Sequence, residues 1–141
     1  MMKKTCILAL GLLLLSSAGL RAQECVITMA PGEKWWGVAS DLGVRMPLDA
    51  ATNLTFDLAA QNFNNQTTPL LLSDQGRYIW CDASFSAVIS GGEIRITPHH
   101  GAAVTCVEIG GTLRDAFLAA SAAHFPPSGT IPPEMFLNKP Q

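Results

Sequence analysis

The sequence is poor in charge. Charged residues make up 14% of the 141, and nine Lys and Arg stand against eleven Asp and Glu, a formal balance of −2. No basic patch breaks this pattern, which speaks against a nucleic-acid partner. No Cys-x-x-Cys pair occurs, which excludes the usual spacing of a structural zinc site. Gly-x-Ser-x-Gly, a phosphate loop and a dinucleotide fingerprint are all missing, so the common hydrolase elbow and nucleotide folds lose their signatures. There is no repeat of fixed period and no low-complexity block. We expect no metal and no cofactor.

The long apolar run is confined to the N-terminus. MMKK is followed by TCILALGLLLLSSAGL, and Leu20-Arg21-Ala22 offers a small residue at a cleavage point. Ser16, Ser17 and Gly19 weaken a transmembrane reading. Glu24 before Cys25 disfavours a lipid anchor. Residues 1–22 are therefore read as a signal peptide. The expected product is an exported, periplasmic or extracellular chain of about 119 residues, free of the membrane. Lys3, Lys4 and Arg21 leave with the leader, so the remainder is more acidic. That length suffices for one modest core.

Four cysteines are present and Cys6 lies in the leader. Cys25, Cys81 and Cys106 remain, which permits one internal disulfide and leaves one thiol, without saying which. A buried, inert cysteine is the bland expectation for at least one of them.

Between residues 25 and 109 short β-like stretches dominate: 25–29, 53–58, 70–72, 78–81, 85–89, 93–97 and 104–109. Leu54, Phe56 and Leu58 alternate with polar neighbours. Pro31-Gly32, Asp74-Gln75-Gly76, Gly91-Gly92 and His100-Gly101 supply turns. The pattern predicts a mainly β fold, an antiparallel β-sandwich over 23–111. One helix is predicted over 112–125. Thr112 and Asp115 form a capping-box spacing, Leu113, Ala116, Phe117, Ala120 and His124 a stripe, and Pro126-Pro127 a stop. Residues 126–141 read as a Pro-rich linker.

The acids fall in turns, caps and exposed strand positions, so each is expected to be solvated. None is marked as one of the facing carboxylates that glycosidic hydrolysis requires. His99 and His100 would point apart on a strand and could not readily share an ion; a strand-end or turn pair is the expected reading. His124 suits the negative end of the helix dipole. Asn53-Leu54-Thr55 and Asn65-Gln66-Thr67 fit a glycosylation acceptor pattern, to which the bacterial length of the leader gives no role. The aromatics are the strongest candidates for contact with a ligand. Trp35, Trp36, Tyr78 and Trp80 could stack on sugar rings or fill the core. In strands, one of Trp35 and Trp36 faces inward, and Tyr78 and Trp80 share a face.

The stretch NQTTPLLLSDQGRYIWCDASFSAVISGGEIRI, with EKWWGVASDLGVRMP before it and GTLRDAFLAASAAHFPPSGTIPPEMFLNKPQ after it, resembles the N-terminal β-sandwich of exported family 31 glycoside hydrolases of the Bacteroides type. PLLLS-x-x-GRYIW is the most specific piece. The resemblance implies a domain of a retaining α-glucosidase or α-xylosidase, at work in carbohydrate metabolism. In that family the helix and Pro-rich strip lead into a (β/α)8 barrel, which carries two catalytic aspartates. The sequence stops before any barrel strand, so no catalytic residue carries over. The expectation is a truncated, non-catalytic fragment, inactive alone, whose partner is such a barrel in cis or in trans. A free-standing carbohydrate-binding sandwich is the alternative.

Overall fold

The computed structural model describes residues 24–60 and 65–130. The expected signal peptide (1–22) and the end of the Pro-rich linker, from residue 131 onward, lie outside the described residues.

Among the described residues eight strands and one α-helix follow in order: β1 (Cys25–Thr28), β2 (Trp35–Ala39), β3 (Leu54–Asp57), β4 (Thr67–Ser73), β5 (Arg77–Cys81), β6 (Phe85–Ser90), β7 (Glu93–Pro98), β8 (Val104–Glu108) and α1 (Leu113–His124). They form two antiparallel sheets, β1-β7-β6-β3 and β2-β4-β5-β8. The fold is the mainly β sandwich with a C-terminal helix that the alternation predicts.

Alternation shows most clearly in β7. Ile94 and Ile96 are fully buried while Glu93, Arg95 and Thr97 are exposed. Phe85, Ala87 and Ile89 of β6 and Leu54 and Phe56 of β3 join them. From the other sheet come Trp35, Leu71, Ile79 and Cys81. Burying each large apolar side chain here is worth about 1.5–3 kcal/mol. The β6–β7 hairpin turns on Gly91 and Gly92, with φ of 59° and 78°. Two successive left-handed residues match the twist of the flanking strands, and glycine adopts them without a Cβ clash.

A second, smaller core lies on the outer face of the sheet β2-β4-β5-β8. Leu70, Tyr78 and Ala120 are its buried residues, with Leu72, Trp80, Val107, Ala119 and Phe125 packed around them. α1 covers this face, so the molecule has three layers. Ala116 and Ala120 are buried, and their small side chains let the helix sit close. Phe117, on the predicted stripe, is instead 46% exposed at the helix margin.

The helix begins as its sequence indicates. The Asp115 carboxylate accepts from the Thr112 amide at 2.9 Å, and the Asp115 amide donates to Thr112 Oγ1 at 3.4 Å. Substituting Thr112→Ala removes one side of this reciprocal cap. It should lower stability by about 1 kcal/mol, seen as a reduced urea midpoint with unchanged slope.

A disulfide joins Cys25 of β1 to Cys106 of β8, 81 positions apart. Both strands are sheet edges, so the bond closes one side of the sandwich. Cys81 is the remaining thiol among the described residues and is fully buried. Burial pushes its pKa up, which makes it a weak nucleophile.

Candidate functional site

The first concentration of polar chemistry lies where the β1–β2 connection meets the β4–β5 hairpin. Glu33 is 1% exposed. This corrects the expectation that every acid is solvated. Arg77 Nε donates to its Oε1 at 2.8 Å, and Arg77 Nη2 to its other oxygen. The Ser73 hydroxyl donates to Oε1, and the Ala30 amide donates to Oε2 at 2.9 Å. Arg77 Nη2 also donates to the Thr28 carbonyl at 3.1 Å, and the guanidinium lies 5.4 Å from the centre of the Trp35 ring. Burial pushes the Glu33 carboxyl upward, but the bonds from Arg77, Ser73 and Ala30 together outweigh it and hold the pKa below its ordinary value. A carboxylate so bonded stays ionised and has no proton to give. The arrangement fastens one end of the sandwich; it is poorly suited to acid catalysis.

The four aromatic candidates do not form one platform. Trp35 is fully buried in the main core and Tyr78 is 4% exposed beneath α1, so neither offers a free ring face. Trp36 is half-buried on the opposite face of β2, beside Leu72 in register. Tyr78 and Trp80 do share a face of β5, turned toward α1 and away from the main core. His124 stacks on Trp80 with centroids 4.9 Å apart and planes at 15°, and meets Tyr78 edge-on at 5.7 Å. Trp80 Nε1 donates to Asp82 at 2.9 Å. His124 thus sits at the helix end that favours a cation, but its ring is engaged by the sheet.

Beside this cluster opens a hollow of about 620 Å³. Trp80, Phe117 and Phe125 form one wall, in mutual contact: Trp80 to Phe125 at 5.6 Å and Phe117 to Phe125 at 6.0 Å. Leu70 and Leu72 make the floor. Ser40, Gln66 and Thr68 supply polar side chains, and no charged side chain among the described residues lines it. The rim is irregular backbone. Gly37 has φ of 136° and Val38 φ of 63°, at a register shift between β2 and β4. A Cβ on Gly37 would lie 2.2 Å from the Leu70 carbonyl oxygen. A β-branched residue in the left-handed region costs on the order of 1–3 kcal/mol. Here that conformation turns Val38 inward, where it is 2% exposed.

His99 and His100 lie in a short 3-10 turn at the end of β7, as the strand-end or turn reading expects. His99 Nε2 is 2.8 Å from Asp57 Oδ1, a contact that joins this turn to the end of β3. The Ala59 amide, followed by His99, holds the Asp57 carboxyl below its usual range. Among the described residues no group of three His, Cys, Asp or Glu is placed to hold a metal, and no helix is long and apolar enough to cross a membrane.

No protein-family model matches the chain, and no curated protein matches it.

Sequence reasoning missed the hollow and the Glu33–Arg77 pair. The hollow had one usable signal. LLL and YIW are apolar on both faces, which is the mark of a strand covered on both sides.

Proposed function

We propose that this chain is a non-catalytic β-sandwich domain of the family 31 glycoside hydrolase type, exported and built to support an α-glycosidase barrel. The observation that carries the reading is where the resembling stretches fall. EKWWG supplies Glu33 and Trp35, and PLLLSDQGRYIWC supplies Leu71, Ser73, Arg77, Ile79 and Cys81. These residues meet in the buried ion pair and the main core. The most specific part of the resemblance is thus occupied with architecture, as a supporting domain requires. Exposed apolar side chains add to this. Val44 is 94% exposed, and Phe117 and Leu118 46% each, apolar side chains of the kind a second domain covers.

Two measurements on one preparation test the reading. The purified chain should hydrolyse neither an aryl α-glucoside nor an aryl α-xyloside above blank. Added to a family 31 barrel expressed without its own sandwich, it should co-purify and raise the soluble, active fraction. Turnover by the chain alone, or a barrel indifferent to it, overturns the proposal.

A further inference from the structure

From the wall chemistry of the hollow between α1 and the sheet β2-β4-β5-β8, we infer that it binds a neutral saccharide. The site goes beyond the supporting role and stands on separate observations. One wall is aromatic, with Phe125 in tilted contact with both Trp80 and Phe117. Sugar rings present an apolar C–H face that packs on such a surface. Ser40, Gln66 and Thr68 offer two hydroxyls and an amide, able to donate and accept, as ring hydroxyls require. The absence of charge among the described lining residues fits an uncharged ligand, because an acidic sugar would leave its carboxylate desolvated without a partner. The volume of about 620 Å³ lies in the range of ligand sites, roughly 300–1,000 Å³. The rim adds a second, independent feature: the left-handed Val38 beside Gly37 is the kind of held backbone irregularity that gathers at ligand clamps.

The site differs from the open tryptophan platform that the sequence suggests. His124 occupies a face of Trp80 and α1 covers Tyr78, so the ligand would rest in the hollow against the ring cluster rather than on an exposed strand.

Titration of the full chain with maltotriose or xylotriose to about 20 mM, followed by NMR of the Trp80 indole and Gln66 amide signals, decides it. Saturable shifts of both are expected. Phe117→Ala and Gln66→Ala lie on exposed positions and should preserve the thermal melt while each weakens binding about fivefold. A galacturonate trimer should bind much more weakly. Absence of saturable shifts overturns the inference, as does binding unaffected by both substitutions or equal binding of the acidic trimer. A neutral apolar dye that enters the hollow and resists displacement by sugar also overturns it. Sugar titration of the chain alone and rescue of a separate barrel are different readouts, so either can fail while the other succeeds.

Discussion

Replacing Glu33 with Ala should cost about 3–5 kcal/mol, the range for removing one partner of a buried ion pair. The loss exceeds that of one contact because the variant strands every group that Glu33 satisfies. The Arg77 side chain is 16% exposed and would be left a cation with the Thr28 carbonyl, the Trp35 ring and the more distant charge of Glu108, opposite it on β8. The Ala30 amide and the Ser73 hydroxyl would lose their acceptor. For a domain with total stability of about 5–15 kcal/mol this is a large share, and Tm should fall by on the order of 15–30 °C. Chemical denaturation of the double variant Glu33→Leu with Arg77→Met separates pairing from packing. It should be less destabilised than either single change, since it leaves no charge unpaired. Equal losses for Glu33→Ala and an exposed control such as Glu93→Ala would refute the burial argument.

The same pair sets an acid dependence, and its sign follows from the direction of the shift. The folded carboxyl titrates below its ordinary value of 4.5, so the folded state binds the proton less readily than the unfolded chain. Its contribution is fully present above that value and drains away as pH falls through the folded pKa. Asp57 and Asp115 are also shifted downward, and both are only half-buried, so their contributions overlap that of Glu33 in the wild-type profile. The informative quantity is therefore the difference between wild type and Glu33→Gln. That difference should be constant near neutrality and shrink below about pH 4.5.

Much of the fold is readable from local pattern. EIRIT alternates cleanly, Gly91-Gly92 marks its hairpin, and Thr112 with Asp115 marks the start of the helix. These signals work because they are short-range: strand period, turn chemistry and capping each act within a few residues. β2 is less readable, since Gly37 interrupts it and the chain bulges there. The Glu33–Arg77 pair is unreadable for a different reason. Glu33 follows Pro31-Gly32 and looks like a solvated turn residue, while its partner lies 44 positions on. Only the pairing of β2 with β4, and of β4 with β5, brings them together. Parity of the cysteines likewise permits one bond without choosing it. The choice is made by topology, which puts β1 and β8 at the edges of different sheets and Cys81 inside the core. The hollow is a product of layering. Apolar runs on both faces of β4 and β5 say that something covers them, but not that α1 leaves one corner open.

That choice of bond carries the second large effect. The Cys25–Cys106 link closes a loop of 81 positions, and its main stabilising action is to restrict the unfolded chain. A loop of this length corresponds to about 4 kcal/mol in the chain-entropy picture, and removal of native disulfides from small exported domains costs about 2–5 kcal/mol. Reduction, or the pair Cys25→Ser with Cys106→Ser, should therefore lower Tm by on the order of 10–30 °C. The sandwich has further reason to need the bond. β1 meets its own sheet only through β7, at the edge, and Cys106 lies on the edge strand of the other sheet, so without the link both edges are free to fray. Thiol chemistry separates this from a general loss of packing. In Cys25→Ser alone, the exposed Cys106 should alkylate readily under native conditions, while Cys81, sealed in the core with its pKa raised, should react only after denaturation. An unchanged melt after verified reduction would show that the two edges are held by packing alone. Rapid native labelling of Cys81 would show that the core around Ile79 and Leu71 opens far more readily than its burial implies.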